Sequence, residues 1–185
     1  DLWQDKHLSL QPKTLNPGVN IFGAYNFMLG ESDFSFSPGI GLGVHNLYSE
    51  SWLVTTQDEI YFLEIPDTID YKKSKLTNSY LDIPLEFRFK SKGEFRVAIG
   101  FKYGFLMKSQ TKYKGEGDAF NIAGSKVIVK QARFDHVENT RYGFVGRIGY
   151  KWLNVYGYYQ LSSLFTEGKG QQMYPISIGI TVIPF

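Results

Sequence analysis

Cysteine is absent from this sequence. That excludes thiolate metal centres, disulfide staples and cysteine nucleophiles, and it suits an oxidising compartment without requiring one. No apolar run approaches the roughly 18 residues a spanning helix needs. Charge of one sign is not in excess. The formal net charge is +2, and with no Lys/Arg-dense run or base-stacking motif, no nucleic-acid partner is expected. No basic-then-apolar leader opens the chain at Asp1, so the numbering is expected to begin at or near a mature N-terminus, with any signal peptide removed. Aromatic residues, by contrast, reach 17% of the 185 residues. That length suits one domain, 1–185.

The stretch from Asn78 to Met107 organises what is present. Leu81, Ile83, Leu85, Phe87 and Phe89 alternate with Asp82, Pro84, Glu86, Arg88 and Lys90. After Ser91-Lys92-Gly93 the pattern resumes. Phe95, Val97, Ile99, Phe101, Tyr103, Phe105 and Met107 alternate with Arg96, Ala98, Gly100, Lys102 and Gly104. A period of two over this length predicts a long antiparallel hairpin with one apolar and one polar face.

Alternation does not say which face is inside. A soluble carrier barrel turns its apolar face inward, and a membrane barrel turns it outward. Three features favour the second. The polar face mixes charges with glycine, which weakens a strand and gains nothing in bulk water, whereas a narrow lumen crowded with long side chains needs small neighbours. The apolar face carries no charge over two whole strands. The strands exceed ten residues, and a tilted strand needs about 9–11 to cross hydrocarbon. The expected fold is all-β: an eight-stranded antiparallel up-and-down transmembrane β-barrel with short periplasmic turns and longer extracellular loops.

The rest of the chain fits that plan. A first strand is expected in 1–11, through Leu8 and Leu10. Pro12 to Gly18 is turn chemistry. Val19 to Leu29 alternates, and Gly30-Glu31-Ser32 is a tight turn. Phe34 to Tyr48 alternates again, with Gly39, Gly41 and Gly43 together on one face. Pro38 and Pro84 each remove a ladder donor, so each marks either a bulge or a weak point in the wall. Ser49 to Leu76 is a long polar connection, either a hairpin extension or a short helix. Lys114 to His136 is a second long loop whose segment Lys126 to Phe134 reads as extended. Strands are expected at Thr140–Lys151, Leu153–Phe165 and Met173–Phe185, with a tight turn near Trp152. Connections thus alternate short and long, as in outer-membrane barrels.

Candidate functional residues follow from the plan. Asp82, Glu86, Arg88, Arg96, Lys102 and Arg147 are expected to share one lumen, with Glu86 facing Arg96 across the hairpin. Buried charges of this kind must pair, which favours a plugged lumen over a conducting one. Tyr25, Tyr48, Trp52, Tyr103, Tyr142, Tyr150, Trp152 and Tyr159 lie near strand ends, as membrane-interface aromatics do. The ending, with Tyr174, Ile176, Ile178, Ile180, Val182 and Phe185, reads as the alternating terminal strand recognised by barrel-assembly machinery. His7-Leu8-Ser9 pairs an imidazole with a hydroxyl, the combination used by lipid A deacylases, but no acidic partner is evident. His45 and His136 lack neighbours at metal-ligand spacing. The Gly39-x-Gly41-x-Gly43 series precedes no helix, so it is not a dinucleotide fingerprint. No catalytic constellation, metal or cofactor is expected.

The segments S-Y-L-D-I-P-L-E-F-R-F at Ser79–Phe89, F-R-V-A-I-G-F-K-Y-G at Phe95–Gly104 and the ending Y-P-I-S-I-G-I-T-V-I-P-F resemble the Bacteroidetes outer-membrane β-barrel families, including the PorT-like group. The likeness covers most of the chain and is weakest in the long loops. It implies an eight-stranded barrel in the outer membrane of a Gram-negative cell, not one activity. Some relatives in that group serve gliding and secretion. The expected role is a non-enzymatic structural or accessory subunit of a larger outer-membrane assembly. The expected partners are outer-membrane lipid including lipopolysaccharide, the assembly machinery, and proteins of the outer membrane or periplasm. A small pore or surface-ligand binder, using 49–76 and 114–136, is the alternative. A lipid-modifying enzyme stands behind both.

Overall fold

The computed structural model describes residues 2–4, 16–55, 60–66, 68–117, 124–132 and 136–183. These residues form β1 (Leu2–Gln4), β2 (Val19–Ala24), β3 (Phe27–Met28), β4 (Phe34–Tyr48), β5 (Ser51–Thr55), β6 (Ile60–Glu64), β7 (Tyr71–Lys90), β8 (Phe95–Glu116), β9 (Lys126–Ala132), β10 (Thr140–Tyr150), β11 (Leu153–Gln160) and β12 (Tyr174–Val182). All but β5 and β6 join one curled antiparallel sheet with neighbour order β1-β12-β11-β10-β8-β7-β4-β2. β3 continues β2 along β4, and β9 flanks β8. Leu2 stands opposite Ile176, so the first and last strands are neighbours.

Most strands form where the alternation predicts them, and β4 has the expected limits. Tight turns join β7 to β8 and β10 to β11. Each places a non-glycine residue in the left-handed region, Glu94 at φ 66° and Lys151 at φ 54°. The expected first strand is described only at Leu2–Gln4, so His7, Leu8, Ser9 and Leu10 lie outside the described residues, as does Phe185.

Several boundaries differ. The expected strand Val19–Leu29 breaks at Tyr25 and Asn26, although Ala24↔Gly39 and Phe27↔Phe36 keep one register. The cause lies opposite. Tyr25 N–H donates to the Pro38 carbonyl at 3.0 Å, but Pro38 has no N–H to return. Pro84 acts similarly. The β4–β7 ladder passes from Pro38↔Leu85 to Gly41↔Asp82 without pairing the two residues between. Neither proline sits at a register shift; each opens a gap in a ladder that stays in register.

The connection expected from Ser49 to Leu76 is mostly strand. β5 and β6 form a hairpin, and β7 already begins at Tyr71. The loop expected from Lys114 is likewise shortened, because β8 runs to Glu116 and β9 pairs with its end. A register shift between Ser79 and Tyr80, with Ser79 opposite Lys108 and Tyr80 opposite Leu106, leaves Met107 unpaired. That bulge exchanges the two faces of β8. Even-numbered residues such as Ala98, Lys102 and Gly104 point inward below it; Ser109, Tyr113 and Gly115 do so above it. Leu153–Phe165 stops being strand at Gln160 and Thr140–Lys151 at Tyr150, while Met173 leaves the last strand to be wholly buried.

Two interiors result. The concave side of the sheet is polar and charged. At the loop end an apolar cluster of Leu47, Leu53, Ile60, Phe62, Leu76, Val137, Leu164, Phe165 and Met173 gathers the β5–β6 hairpin against the segments flanking β10 and β12. Ile60 N–H to the Lys169 carbonyl at 2.7 Å and Leu164 N–H to the Met173 carbonyl at 2.9 Å stitch this cap.

Candidate functional site

The concave face is built from the even residues of β7 and lower β8 and the odd residues of β4 and β10. Asp82 is its centre. Its carboxylate accepts both arms of one guanidinium, from Arg141 Nε at 3.1 Å and Nη2 at 2.6 Å. Lys102 Nζ lies 3.6 Å from the same carboxylate, donates to the Tyr156 hydroxyl at 3.2 Å and sits 3.7 Å from the Tyr158 ring centroid. The Arg141 guanidinium lies 3.9 Å from the Tyr80 ring centroid. One layer away, Glu86 pairs with Arg147 and accepts from Arg88 Nε at 2.9 Å. Arg88 also donates to Asn26 Oδ1 at 2.9 Å, which accepts from Ser37 as well. Arg147 rests on Phe22, 4.4 Å from the ring centroid. Each carboxylate is thus held between two cations, as buried charge requires.

The glycines opposite explain themselves by space. A Cβ on Gly43 would lie 2.6 Å from both Arg141 Nη2 and Asn20 Oδ1, and 2.8 Å from Asp82 Oδ2. Gly104 flanks the same pair from β8, with the Arg141 chain 3.0 Å from where its Cβ would stand. Glycine here makes room for the ion pair.

Asp82, Glu86, Arg88, Lys102 and Arg147 therefore come together as the alternation predicts. Arg96 does not join them. Glu86 is in register with Gly100, while Arg96 is opposite Lys90 and pairs with Glu94 at 3.6 Å, at the rim. Hairpin register, set by the turn, puts the two expected partners four residues apart along the strand. Arg141 was missed. It shares the inward phase of β10 with Arg147 and is 1% exposed; that alternation was the available signal.

The convex face is the reverse. Ile99 is 65%, Ile178 68% and Ile180 75% exposed, against 1% for Glu86. Phe144, Ile148 and Val155 are also more than half exposed. Leaving a large apolar side chain in water forfeits about 1.5–3 kcal/mol. For this wall alone that is on the order of 10 kcal/mol, comparable to the whole net stability of a typical domain. Such a surface calls for an apolar surrounding. A family model described as outer membrane protein beta-barrel domain matches residues 8–166. The chain belongs to that family. Comparison with curated proteins and with solved structures returned no match.

Membership in the outer membrane protein beta-barrel family indicates the outer membrane as its location. The aromatic residues fall at two levels of the exposed face. Tyr150 and Trp152 lie at the short-turn end. Tyr103 and Tyr142 stack nearer the loops, 6.5 Å apart and 7° from parallel, with Tyr159 on the neighbouring strand. Tyr25, also exposed, meets Phe27 at 4.9 Å. Tyr48 is half-buried near Lys73 and Lys75. Trp52 departs from the expectation. It belongs to the β5–β6 hairpin and packs 5.8 Å from Tyr113, on the concave side, so it contributes to the cap. On β12, Ile178, Ile180 and Val182 are exposed, and Tyr174 and Ile176 are half-buried on the strand that meets β1. His45 is buried near Tyr80, at 6.3 Å between rings. Among the described residues no group of acidic or histidine side chains is arranged to hold a metal.

Proposed function

We propose that this protein is an eight-stranded transmembrane barrel of the outer membrane. We further propose that it serves as a non-enzymatic accessory subunit, docked through its loop end onto a larger outer-membrane assembly. The observation that carries the membrane reading is the inversion itself, ion pairs within and isoleucines without. Dimensions support it. Phe95 to Phe105 spans about ten residues, roughly 33 Å of strand at 3.3 Å each. At a tilt near 40° that is about 25 Å of height, the apolar band of such barrels. The neighbouring first and last strands support closure, and β12 supplies the alternating terminal strand that assembly machinery engages.

The accessory role rests on two features. The charged groups of the lumen are engaged with one another, which favours a plug over a passage. The β5–β6 hairpin and the apolar cluster cover the loop end, leaving a structured platform rather than an open mouth. The resemblance to Bacteroidetes PorT-like barrels favours an assembly concerned with secretion or gliding. Affinity purification of the tagged protein from its own membrane in mild detergent tests the role. A stoichiometric outer-membrane or periplasmic partner is expected. A lone monomer, or steady single-channel conductance in planar bilayers, would overturn it.

A further inference from the structure

Above the apolar band the outward face of the sheet turns basic. Lys75 on β7 stands directly opposite Lys112 on β8, and Lys112 directly opposite Lys130 on β9. One step further from the band, Lys73 faces Lys114. Like charges directly opposite across strands destabilise a sheet. None of these lysines has a carboxylate partner among the described residues, whereas each luminal carboxylate has two cations. Lys73 and Lys75 lie over the Tyr48 ring at 5.6 and 5.4 Å, and Lys75 donates to Asn46 at 2.7 Å, so this edge of the row is held in place. The Lys112 ammonium is pushed below the ordinary lysine range by partial desolvation and by the charges of Lys130, Lys73, Lys75 and Lys114.

We infer that the row Lys75–Lys112–Lys130 is a binding site for the phosphates of a glycolipid in the surrounding leaflet. The inference rests on the membrane reading above. Charge selects an anion, and height selects its carrier. Met107 and Lys108 mark the edge of the apolar band. Lys112 stands four residues beyond, roughly 13 Å along a strand at 3.3 Å per residue, or about 10 Å of height at 40° tilt. A phospholipid headgroup layer is only about 5–8 Å thick on each side. Phosphates carried on the sugars of a glycolipid lie at the height of the row, whereas those of a phospholipid lie about 2–5 Å below it. The partners for three mutually repelling ammonium groups then come from the membrane rather than from the chain.

The test uses the full chain in phosphatidylcholine nanodiscs with one of three probes: a phosphorylated rough-type lipopolysaccharide, the same glycolipid after phosphatase treatment, or soluble inorganic polyphosphate. The variant is Lys75→Gln/Lys112→Gln/Lys130→Gln. Bound probe per protein is quantified, together with the unfolding midpoint. About fivefold in affinity is expected per lysine facing an anionic surface, so the triple variant loses roughly 100-fold for the phosphorylated glycolipid. Phosphatase treatment removes the same advantage from the parent and leaves the variant unchanged. Without probe, the variant is at least as stable as the parent, because the like-charge row is relieved. Equal retention of phosphorylated glycolipid by parent and variant overturns the inference. Polyphosphate binding as tight as the glycolipid's does so too, by making the occupant a soluble polyanion. If neither protein enters the discs, the membrane reading fails and this inference falls with it.

Discussion

Asp82 neutralises two buried cations at once, and its removal is the sharpest probe of the interior. Asp82→Asn keeps the shape but leaves Arg141 and Lys102 without a carboxylate. The expected destabilisation is about 3–5 kcal/mol, the cost of breaking a buried pair from one side. Arg141→Met is expected to cost less, because Lys102 remains 3.6 Å from Asp82 and keeps the carboxylate paired. In the double variant Asp82→Asn/Arg141→Met the loss is smaller than the sum by about 1–3 kcal/mol, since the two changes remove one interaction. Reversible urea unfolding in phosphatidylcholine vesicles measures all three, with tryptophan emission as the signal. A paired interior is refuted if Asp82→Asn lies within about 0.5 kcal/mol of the parent, or if it costs no more than Arg141→Met. Either result means that water, not protein, solvates these cations.

Other perturbations address the remaining features. Ile99→Arg on the exposed face is expected to lose about 2–4 kcal/mol in vesicles if it lies near the midplane, and no measurable change there argues against lipid contact. Gly43→Ala forces a methyl into the Asp82–Arg141 pair and is expected to cost about 1–3 kcal/mol; Gly179→Ala, with nothing within 4 Å of its Cβ, is the matched control and is expected to be neutral in the same unfolding assay. Lys151→Gly relieves a left-handed residue and is expected to stabilise by up to about 1 kcal/mol, seen as a higher urea midpoint. Phe62→Ala removes a ring 6.0 Å from Phe165 and is expected to loosen the cap by about 3–5 kcal/mol, read as faster proteolysis near β5 and β6 while the barrel strands stay protected.

The sheet was largely legible because its strands obey a period of two and its short connections carry turn chemistry. Phe34–Tyr48 and the hairpin around Ser91–Gly93 are examples. Of the six charges expected together, five meet on the concave face, and those five were readable from phase alone. Arg96 was not, because phase gives the face while register gives the height, and only the turn sets the register. The cap was invisible for a different reason. Leu47 lies at the end of β4, Phe62 lies on β6, and Phe165 and Met173 lie between β11 and β12; no single periodic pattern links them, and only the folded chain brings them together. The split of β2 into β2 and β3 depends on a proline in another strand, which no local window contains.

That proline and its counterpart leave the sheet unequally sewn. Pro38 interrupts its bonding to one neighbour, and Pro84, one strand over, thins the bonding along the other side of the same short stretch. A curled sheet pulled sideways parts where the fewest stitches hold. Here that place is a band along β4, between Tyr25 and Pro84, and backbone amides there will exchange with solvent deuterium ahead of those in the long β7–β8 ribbon.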